Sequence, residues 1–408
     1  MDIDYARRMS SVRPSAIRDL LKHGDDSELI SFGGGYPDQA LFPFDELRAV
    51  YSELLCREHG SVLQYTASDG LVRLREQVAD RMSADGTPAD ADEILILNGG
   101  QQGIELVAKL LIDPGDTIIV EDPTFVGALI AFAPFEPSYA TVRLDDHGMD
   151  TDHLAAVLKA GPGAKLLYTV PDFHNPTGVS MSLERRRRLI ELANEHNLII
   201  LEDTPYRELR YEGPRLPTLR SLDTQGRVIH LNSFSKILAP GLRLGWLTAS
   251  GELREKLALL KLAADTQSGT LSMAAVASYL TRFDIGAHVA GLRLAYRQKR
   301  DVMLEAIGRE FPADIQFTRP EGGLFTWLTF PEGFDSARFA ADTALPKAKV
   351  AYVPGATFFA DEQHHNHARI NFTGVTDEQI NDGIGRLGAE LRAVLAQRPI
   401  GVRGTGLR

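Results

Sequence analysis

A lysine flanked by two serines is the strongest chemical signal in the chain. The segment Ser233-Phe234-Ser235-Lys236 follows a short apolar run, and Arg243 lies seven residues beyond the lysine. A lysine amine forms a Schiff base with an aldehyde, and serine hydroxyls and an arginine can hold a phosphate group. The guanidinium suits that task because its planar fork bonds phosphate oxygens in pairs. The segment suits a cofactor with an aldehyde and a phosphate; taken alone, it also fits a solvated loop after a strand.

Two further sets of polar side chains follow strand-like runs. Asn175-Pro176-Thr177-Gly178 comes after the apolar residues 166–170, and Asp203 comes after residues 198–201, with Tyr206 three residues later. Turn formation explains most tetrapeptides of the first kind, and a lone acid after a strand can cap the next helix. Open α/β sheets, however, bind ligands beyond the carboxyl ends of their strands. The placement of these side chains therefore favours a functional role.

Strand-like runs alternate with helical patterns through the middle of the chain. The runs are short and apolar throughout, as in strands that are buried on both faces of a sheet. This alternation predicts an α/β domain with a mostly parallel sheet. The predicted strands are residues 94–97, 117–120, 166–170, 198–201, 228–231 and 244–248, and the predicted helices include residues 45–57, 72–82, 104–111, 183–195 and 252–264.

The last part of the chain has a different pattern, which indicates a smaller α+β domain. Residues 273–309 show long helical periodicity, and a strand–turn–strand unit is predicted over 315–330, short strands at 350–353 and 368–373, and a final helix over 377–395. Part of the N-terminus is expected to join this domain. We expect an N-terminal segment of the small domain over residues 1–43, a large cofactor-binding domain over 44–285 and the C-terminal small domain over 286–408.

Composition and charge exclude several classes of protein. The chain has 408 residues, of which 44% are hydrophobic, and this is enough for two domains with apolar cores. A formal net charge of −11 disfavours a nucleic-acid-binding protein. The single cysteine, Cys56, excludes an internal disulfide framework and a cysteine-rich metal site. The chain has no apolar run of about 18 residues and no signal-peptide pattern at its start, so we expect a soluble, cytoplasmic protein without a membrane partner.

Two conspicuous polar segments receive a structural interpretation. Residues 185–188 are four arginines beside Glu184 and Glu191, a pattern typical of a solvated or ion-paired helix face rather than a nucleic-acid patch. The segment His364-His365-Asn366-His367 carries possible metal ligands but lacks a matching carboxylate motif. We therefore expect it to form an exposed polar turn, and we expect no metal site.

The motifs taken together resemble the class I/II aminotransferases, which are pyridoxal-phosphate enzymes of fold type I. The resemblance rests on the order and spacing of Asn175-Pro176-Thr177-Gly178, Asp203, Tyr206, Ser233-x-Ser235-Lys236 and Arg243, and it extends from about Ile30 to the last helix. The sequence is most similar to the 2-aminoadipate and kynurenine-type branch. The features shared with that branch are Ser31-Phe32-Gly33-Gly34-Gly35-x-Pro37, Leu63-Gln64-Tyr65, Gly99-Gly100-Gln101-Gln102 and Pro354-Gly355-x-x-Phe358-Phe359.

This resemblance implies a fold and an activity. The fold would be a large domain with a mostly parallel seven-stranded sheet and a smaller α+β domain. The activity would be the transfer of an amino group from an L-amino acid to an α-keto acid such as 2-oxoglutarate, by a ping-pong mechanism with pyridoxal 5'-phosphate. Tyr65 would reach the phosphate of the neighbouring subunit, so that the enzyme would be at least a homodimer with shared active sites.

The resemblance also implies roles for the residues that hold the cofactor. Lys236 would bond to the cofactor's aldehyde carbon and carry a proton between it and the α-carbon of the substrate. Asp203 would keep the pyridine nitrogen protonated, which makes the ring an electron sink. Asn175 and Tyr206 would hydrogen-bond the phenolate oxygen, and Phe125 would stack on the ring. The phosphate would be held by Gly100 and Gln101 at a helix start, with Gln102 as a further candidate, and by Ser233, Ser235 and Arg243.

Three residues are candidates for binding the substrate, besides Asn175. Arg369, in Arg369-Ile370-Asn371-Phe372, would bind the α-carboxylate that every amino-acid and keto-acid substrate carries. Gly34 or Gly35 could donate a backbone N–H to the same carboxylate. Arg18 would lie on an N-terminal helix and could pair with the side-chain carboxylate of an acidic substrate, although a solvated helix arginine fits the sequence equally well.

Other reactions on the same scaffold stay open at this point. The cofactor motifs do not separate transamination from β-elimination, decarboxylation or racemisation, although Arg369 as a carboxylate clamp argues against decarboxylation. A transcription regulator with an aminotransferase-like domain is disfavoured, because only about thirty residues precede Ser31-Phe32-Gly33 and the chain is acidic. The sequence leaves the amino donor undecided among aromatic, branched-chain, aminoadipate-like and specialised biosynthetic amino acids.

Overall fold

The computed structural model of the chain describes residues 3–12, 28–57, 60–161, 163–361 and 363–396. Within these residues the strands form one large sheet and two small ones. The strands are β1 Ile30–Ser31, β2 Ile94–Leu97, β3 Thr117–Asp122, β4 Ser138–Asp145, β5 Gly148–Met149, β6 Leu166–Thr169, β7 Ile199–Asp203, β8 Val228–Ser233, β9 Gly245–Thr248, β10 Gln316–Phe317, β11 Phe325–Thr329, β12 Val350–Ala351, β13 Val353–Pro354 and β14 His367–Asn371.

Helices cover both faces of the large sheet and pack on the small ones. The α-helices are α1 Phe44–Arg57, α2 Val72–Ala84, α3 Gly100–Leu111, α4 Val126–Phe132, α5 Thr151–Lys159, α6 Leu183–Glu195, α7 Leu219–Leu222, α8 Gly251–Asp265, α9 Thr270–Arg282, α10 Ile285–Glu310, α11 Ser336–Phe339 and α12 Asp377–Ala396. A π-helical stretch spans Ala340–Ala348. No helix among the described residues is long and apolar enough to cross a membrane.

The large sheet has the order β2-β9-β8-β7-β6-β3-β4-β5. Its centre, from β4 through β3, β6 and β7 to β8, is parallel, while β9 runs antiparallel to both β8 and β2. The sheet therefore has the predicted α/β character but eight strands rather than seven, because the two-residue strand β5 adds to one edge. The sequence runs did not predict β4, since this strand lies near the edge of the sheet and only one of its eight residues, Val142, is buried.

The small domain is built on an antiparallel sheet of order β10-β11-β14-β13. Helices α10 and α12 pack on each other and, with this sheet, enclose a second apolar core. The N-terminal strand β1 pairs in parallel with β12, which brings the start of the chain to this domain. The helical periodicity over residues 273–309 is divided between two helices. The first ends at Arg282, and Asp284 caps α10 by accepting a hydrogen bond from the Ala287 amide at 3.0 Å.

Three of the four arginines of α6 form ion pairs with described residues, and they differ in burial. Arg185 pairs with Asp145 at 2.5 Å and Arg188 with Glu191 at 2.9 Å, as an ion-paired helix face requires. Arg186, however, is fully buried and pairs with the equally buried Asp172 at 2.8 Å. Arg186 also donates to the Pro171, Met181 and Pro217 carbonyls, so it fixes the loop that follows β6. The expectation of a solvated or ion-paired helix face is thus wrong for the exposure of Arg186. The loop after β6 covers this side chain and supplies its buried partner, Asp172.

Candidate active site

A cavity of about 330 Å³ opens beyond the carboxyl ends of β6, β7 and β8. The strand ends meet there because these strands are parallel neighbours. Most of the predicted site residues line this one cavity, although they come from segments far apart in the chain. They are Gly35, Gly100, Gln101, Phe125, Asn175, Asp203, Tyr206, Ser233, Ser235, Lys236, Arg243 and Arg369.

The amine of Lys236 is poised to act as a nucleophile. Lys236 follows β8 in a tight turn, and its Nζ donates to the Gly35 carbonyl at 2.8 Å. Burial and the nearby guanidinium groups of Arg369 and Arg243 together lower the pKa of Lys236 to about 8, against the opposing effect of Asp203. A larger fraction of the amine is therefore neutral near pH 7 than in a solvated lysine, and the neutral amine is the form that attacks an aldehyde.

Asp203 places a buried carboxylate at the floor of the cavity. It is the last residue of β7, and its Oδ2 accepts a hydrogen bond from the Tyr168 hydroxyl at 2.8 Å. Burial raises the pKa of Asp203 to about 7, while the Tyr168 hydroxyl, His230 and Lys236 act in the opposite direction. Because burial disfavours the charged form of this carboxylate, a cationic partner would stabilise it. A protonated pyridine nitrogen would be such a partner.

Sequence reasoning missed Tyr168. This residue lies in β6, inside a run that is interpreted as a buried strand, and it is fully buried as expected. The phenol is packed edge-on against Phe132, with ring centroids 5.8 Å apart, and this contact directs its hydroxyl to Asp203. The one sequence signal for this role was a hydroxyl-bearing aromatic residue in an otherwise aliphatic strand.

Arg369, Asn175 and Tyr206 form one hydrogen-bonded group. Arg369 Nη1 donates to Asn175 Oδ1 at 2.9 Å, and Asn175 Nδ2 donates to the Tyr206 hydroxyl at 3.0 Å. Arg369 Nη2 donates to the Gly33 carbonyl at 2.8 Å. These contacts join β14 to the turn after β6 and to the N-terminal segment, and they fix the side chain of Asn175 in the lining of the cavity.

The Arg369 guanidinium is buried and incompletely paired. It lies over the ring of Phe325 at 4.2 Å and that of Phe358 at 5.0 Å, and it has 1% of its surface exposed. Burial lowers the pKa of Arg369 to about 10. Its Nε has no hydrogen-bond partner among the described residues. A buried cation with a spare N–H donor is suited to a planar carboxylate.

A cradle for an anion lies at the start of α3. Gly100 and Gln101 open this twelve-residue helix, whose free N–H groups and dipole favour a phosphate. Gly99 has a φ of 78°, and a Cβ atom there would come within 2.6 Å of Arg243 Nη2. Glycine at this position thus lets the guanidinium approach the helix start. Ser233 and Ser235 complete the cradle, and Ser233 Oγ donates to Ser235 Oγ at 2.8 Å.

Phe125 borders the cavity directly before α4. Gly127 gives its ring room, since a Cβ atom at Gly127 would come within 2.4 Å of the Phe125 ring. The side-chain amide of Gln101 donates to the Gly127 carbonyl at 2.6 Å, which ties α4 to the start of α3. The predicted stacking position of Phe125 is consistent with this placement beside the cavity.

Two predicted residues, Tyr65 and Gln102, do not line the cavity, and a third lies outside the part of the chain that the structure describes. Tyr65 is 79% exposed. The side chain of Gln102 turns away from the cradle and donates to Asp265 at 2.6 Å. Arg18 lies outside the described residues.

The donors and acceptors of the cavity fit pyridoxal phosphate. The amine of Lys236 would meet the aldehyde, the carboxylate of Asp203 would meet the ring nitrogen, and the cradle of Arg243, Ser235 and the α3 start would hold the phosphate. The spare Nε–H of Arg369 on the opposite side is a matching donor for a substrate carboxylate. Among the described residues, each charged group that lines the cavity would have a counterpart in a complex of this cofactor with an amino acid.

Comparisons with known proteins agree with this geometry. The sequence model of the family "Aminotransferase class I and II" matches residues 28–387. Aromatic-amino-acid aminotransferase 1 of Thermococcus litoralis is 39% identical over 399 residues, which are 96% of this chain and 95% of that protein.

Solved structures give the same result. The kynurenine aminotransferase of Pyrococcus horikoshii, solved with PMP, superposes with a TM-score of 0.91 at 37% identity and covers 96% of this chain and 97% of its own. LysN, the α-aminoadipate aminotransferase of Thermus thermophilus, solved with N-(5'-phosphopyridoxyl)-L-leucine, has a TM-score of 0.90 at 34% identity and covers 97% of this chain and 98% of its own. The chain belongs to the class I and II aminotransferases, and it is a pyridoxal-phosphate-dependent enzyme that transfers amino groups by a ping-pong mechanism.

Proposed function

We propose that this aminotransferase binds the α-carboxylate of its amino-acid and keto-acid substrates at Arg369 and moves the substrate proton with Lys236. The observation that carries the proposal is the meeting of the Lys236 amine, the Asp203 carboxylate and the Arg369 guanidinium around one cavity. The first half-reaction releases a keto acid, and a second keto acid, such as 2-oxoglutarate, then receives the amino group.

The residues divide the chemistry between them. Pyridoxal phosphate, when bound, supplies an aldehyde and an electron-poor ring that accepts electrons from the α-carbon of the substrate. Asp203 holds a proton at the ring nitrogen, and Asn175 and Tyr206 hold the ring oxygen. Lys236 removes the proton from the α-carbon and returns it to the former aldehyde carbon. Arg369 holds the carboxylate during both transfers and so opposes its loss as carbon dioxide, which favours transamination over decarboxylation.

Acidic amino acids need a further cation for their side-chain carboxylate. Among the described residues, the cations that line the cavity are Lys236, Arg243 and Arg369, and each of them has a role in the scheme above. We therefore propose that Arg18 receives the side-chain carboxylate of acidic donors. The rest of the lining includes Tyr36 and Ile104, which suit aromatic and aliphatic side chains, so we expect both acidic and apolar donors.

We further propose a homodimer in which Tyr65 binds the phosphate in the partner's cavity. The high exposure of Tyr65 supports this assignment, because a tyrosine that served its own cavity would line it. Leu63, two residues earlier, is 67% exposed, and an apolar side chain of this size is expected to be covered in an assembly.

Replacing Lys236 tests the proton transfer. We expect Lys236→Ala to lower kcat by about 10³- to 10⁴-fold, because a positioned general base of this kind is lost. Borohydride reduction followed by mass spectrometry should find cofactor on wild-type Lys236 and none on the variant. Lys256→Ala, at an exposed lysine of α8, should retain full activity. Near-normal turnover by Lys236→Ala would contradict the assignment.

Replacing Asp203 tests the electron sink. Asp203→Asn keeps the shape of the side chain but removes its charge, so the ring nitrogen should lose its proton and kcat should fall by about 10²-fold or more. The ¹⁵N chemical shift of labelled cofactor in the variant should move to the value of an unprotonated pyridine. A variant that keeps both the protonated shift and the wild-type rate would show that another group protonates the ring.

A pair of arginine variants tests substrate recognition. Arg369→Ala should lower kcat/KM for glutamate and leucine alike, because both carry the α-carboxylate. Arg18→Ala should lower kcat/KM for glutamate alone, by roughly 10- to 100-fold, as expected for one charge-assisted hydrogen bond. Comparable losses for the two substrates in Arg18→Ala would remove Arg18 as the selector and leave the role of Arg369 intact.

Dilution tests the shared site. If Tyr65 acts across a dimer, the affinity of the enzyme for pyridoxal phosphate should fall when the protein is diluted below its dimer dissociation constant, as measured by sedimentation. Tyr65→Ala should show the weaker affinity, by about tenfold, at every concentration. Tyr5→Ala, at another highly exposed tyrosine, is the matched control. A monomeric enzyme with wild-type affinity would rule the proposal out.

A further inference from the structure

A partly buried polar cluster lies behind the start of α3, outside the cavity. It consists of Asn98, Gln102, Lys261 and Asp265, and we call it the Asp265 cluster. Asp265 Oδ2 accepts hydrogen bonds from Asn98 Nδ2 and from Gln102 Nε2, both at 2.6 Å. Lys261, one turn earlier in α8, pairs with Asp265 at 2.8 Å. None of these side chains lines the cavity.

The cluster holds both ends of the turn that forms the anion cradle. Asn98 and Gln102 flank the residues Gly99-Gly100-Gln101. The backbone N–H of Asn98 also donates to Gln102 Oε1 at 2.8 Å. The carbonyl of Asn98 accepts a hydrogen bond from Arg243 Nη2 at 3.2 Å. A single carboxylate therefore fixes the turn that points N–H groups at the cradle, and through Asn98 it reaches the arginine of the cradle.

The two charges of the Asp265 cluster compensate each other, so the cluster does not repel an anion in the cradle. The Lys261 side chain is fully buried, while Asp265 keeps 20% of its side-chain surface exposed. Burying an ion pair seldom stabilises a fold better than apolar packing would. A carboxylate behind a phosphate site would repel the phosphate if it stood alone, and the Lys261 ammonium cancels that charge. The pair thus accepts two orienting hydrogen bonds at Asp265 Oδ2 without a net negative charge.

We infer that Asp265, neutralised by Lys261, is a positioning residue for the phosphate of the cofactor. It acts through Asn98 and Gln102 on the α3 start and on Arg243, and it has no contact with the cofactor itself. The inference rests on the proposed function, which places the phosphate in this cradle.

The test compares two probes that differ only in the phosphate. Apoenzyme is titrated with pyridoxal phosphate and with pyridoxal, and the dissociation constants are taken from the absorbance of the lysine adduct. Asp265→Ala should weaken pyridoxal phosphate binding by about tenfold, as expected for the loss of two orienting hydrogen bonds, and should change pyridoxal binding less than twofold. A general loosening of the fold would weaken both probes equally, and that result would overturn the inference.

A control and a direct variant make the outcomes separable. Glu252→Gln alters an exposed i,i+4 pair with Lys256 in the same helix and should change neither constant. Arg243→Gln removes a direct phosphate ligand and should weaken pyridoxal phosphate selectively. If Arg243→Gln has no selective effect, the cradle assignment itself fails. If Arg243→Gln has that effect while Asp265→Ala binds both probes as the wild type does, only the positioning role of Asp265 fails.

A second variant covers the case in which Asp265→Ala does not fold with Lys261 left unpaired. Gln102→Met removes one of the two amides that Asp265 orients and keeps the ion pair of Asp265 with Lys261 intact. It should weaken pyridoxal phosphate binding several-fold, again without an effect on pyridoxal, and Gln102→Glu should not rescue it because a second carboxylate repels Asp265. Unchanged binding of pyridoxal phosphate by Gln102→Met would overturn the inference.

Discussion

The geometry of the active site depends on an Arg369 guanidinium that is buried among neutral groups within the described residues. No acidic side chain among the described residues forms an ion pair with Arg369. Its charge is instead supported by the Asn175 amide oxygen, the Gly33 carbonyl and the faces of two phenylalanine rings. Leaving a cation in this state is unfavourable by roughly several kcal/mol, and in the proposed function a substrate carboxylate would relieve it. On that proposal, the enzyme reserves for its substrate an ion pair that a purely structural arginine would already have formed.

Much of the surrounding structure serves to hold the partners of that arginine. The turn that carries Asn175 is fixed on one side by His174, whose Nε2 lies 3.1 Å from the buried Glu121 carboxylate. On the other side it is fixed by Asp172, which lies between Arg186 and Arg207 and whose pKa these guanidinium groups lower to about 2. Buried ionic groups of the large domain therefore determine where the substrate end of the site lies, even though none of them lines the cavity.

The sequence predicted the parts of the site that are encoded locally. Lys236, Asp203 and Asn175 each follow a recognisable apolar strand, and parallel neighbours bring such strand ends together regardless of the remaining details. Arg369 was predicted only through family resemblance, since nothing near it in the chain distinguishes it from a surface arginine. The partners that tune these groups were not predicted. Tyr168 reads as core, and Asp265 and Lys261 read as an ordinary i,i+4 helix pair, because their roles depend on contacts with residues 35 to 167 positions away.

The fold prediction was also wrong where the outcome depends on sheet position, on a helix cap or on contacts with distant residues. The strand β4 lies near a sheet edge and has no uniform apolar run. The break between α9 and α10 depends on one aspartate that caps a helix, inside a stretch whose periodicity continues on both sides. Arg186 has the sequence environment of a surface residue, and only the docking of the loop after β6 buries it. Short-range patterns determine the elements, whereas long-range docking determines their ends and their buried charges.

Because the ribosome delivers the chain from its N-terminus, β1 is synthesised long before its partner strand β12. All strands of the large sheet lie between Ile94 and Thr248, so that sheet can form while the rest is still being synthesised. The partner of Ile30 is Val350, which emerges about a hundred residues after β9. At about 5–20 residues per second, the N-terminal strand waits roughly 5–20 s after the large sheet is complete. During that interval β1 lacks its pairing with β12, so the carbonyl of Gly33, two residues after β1, reaches its place beside Arg369 only late in synthesis.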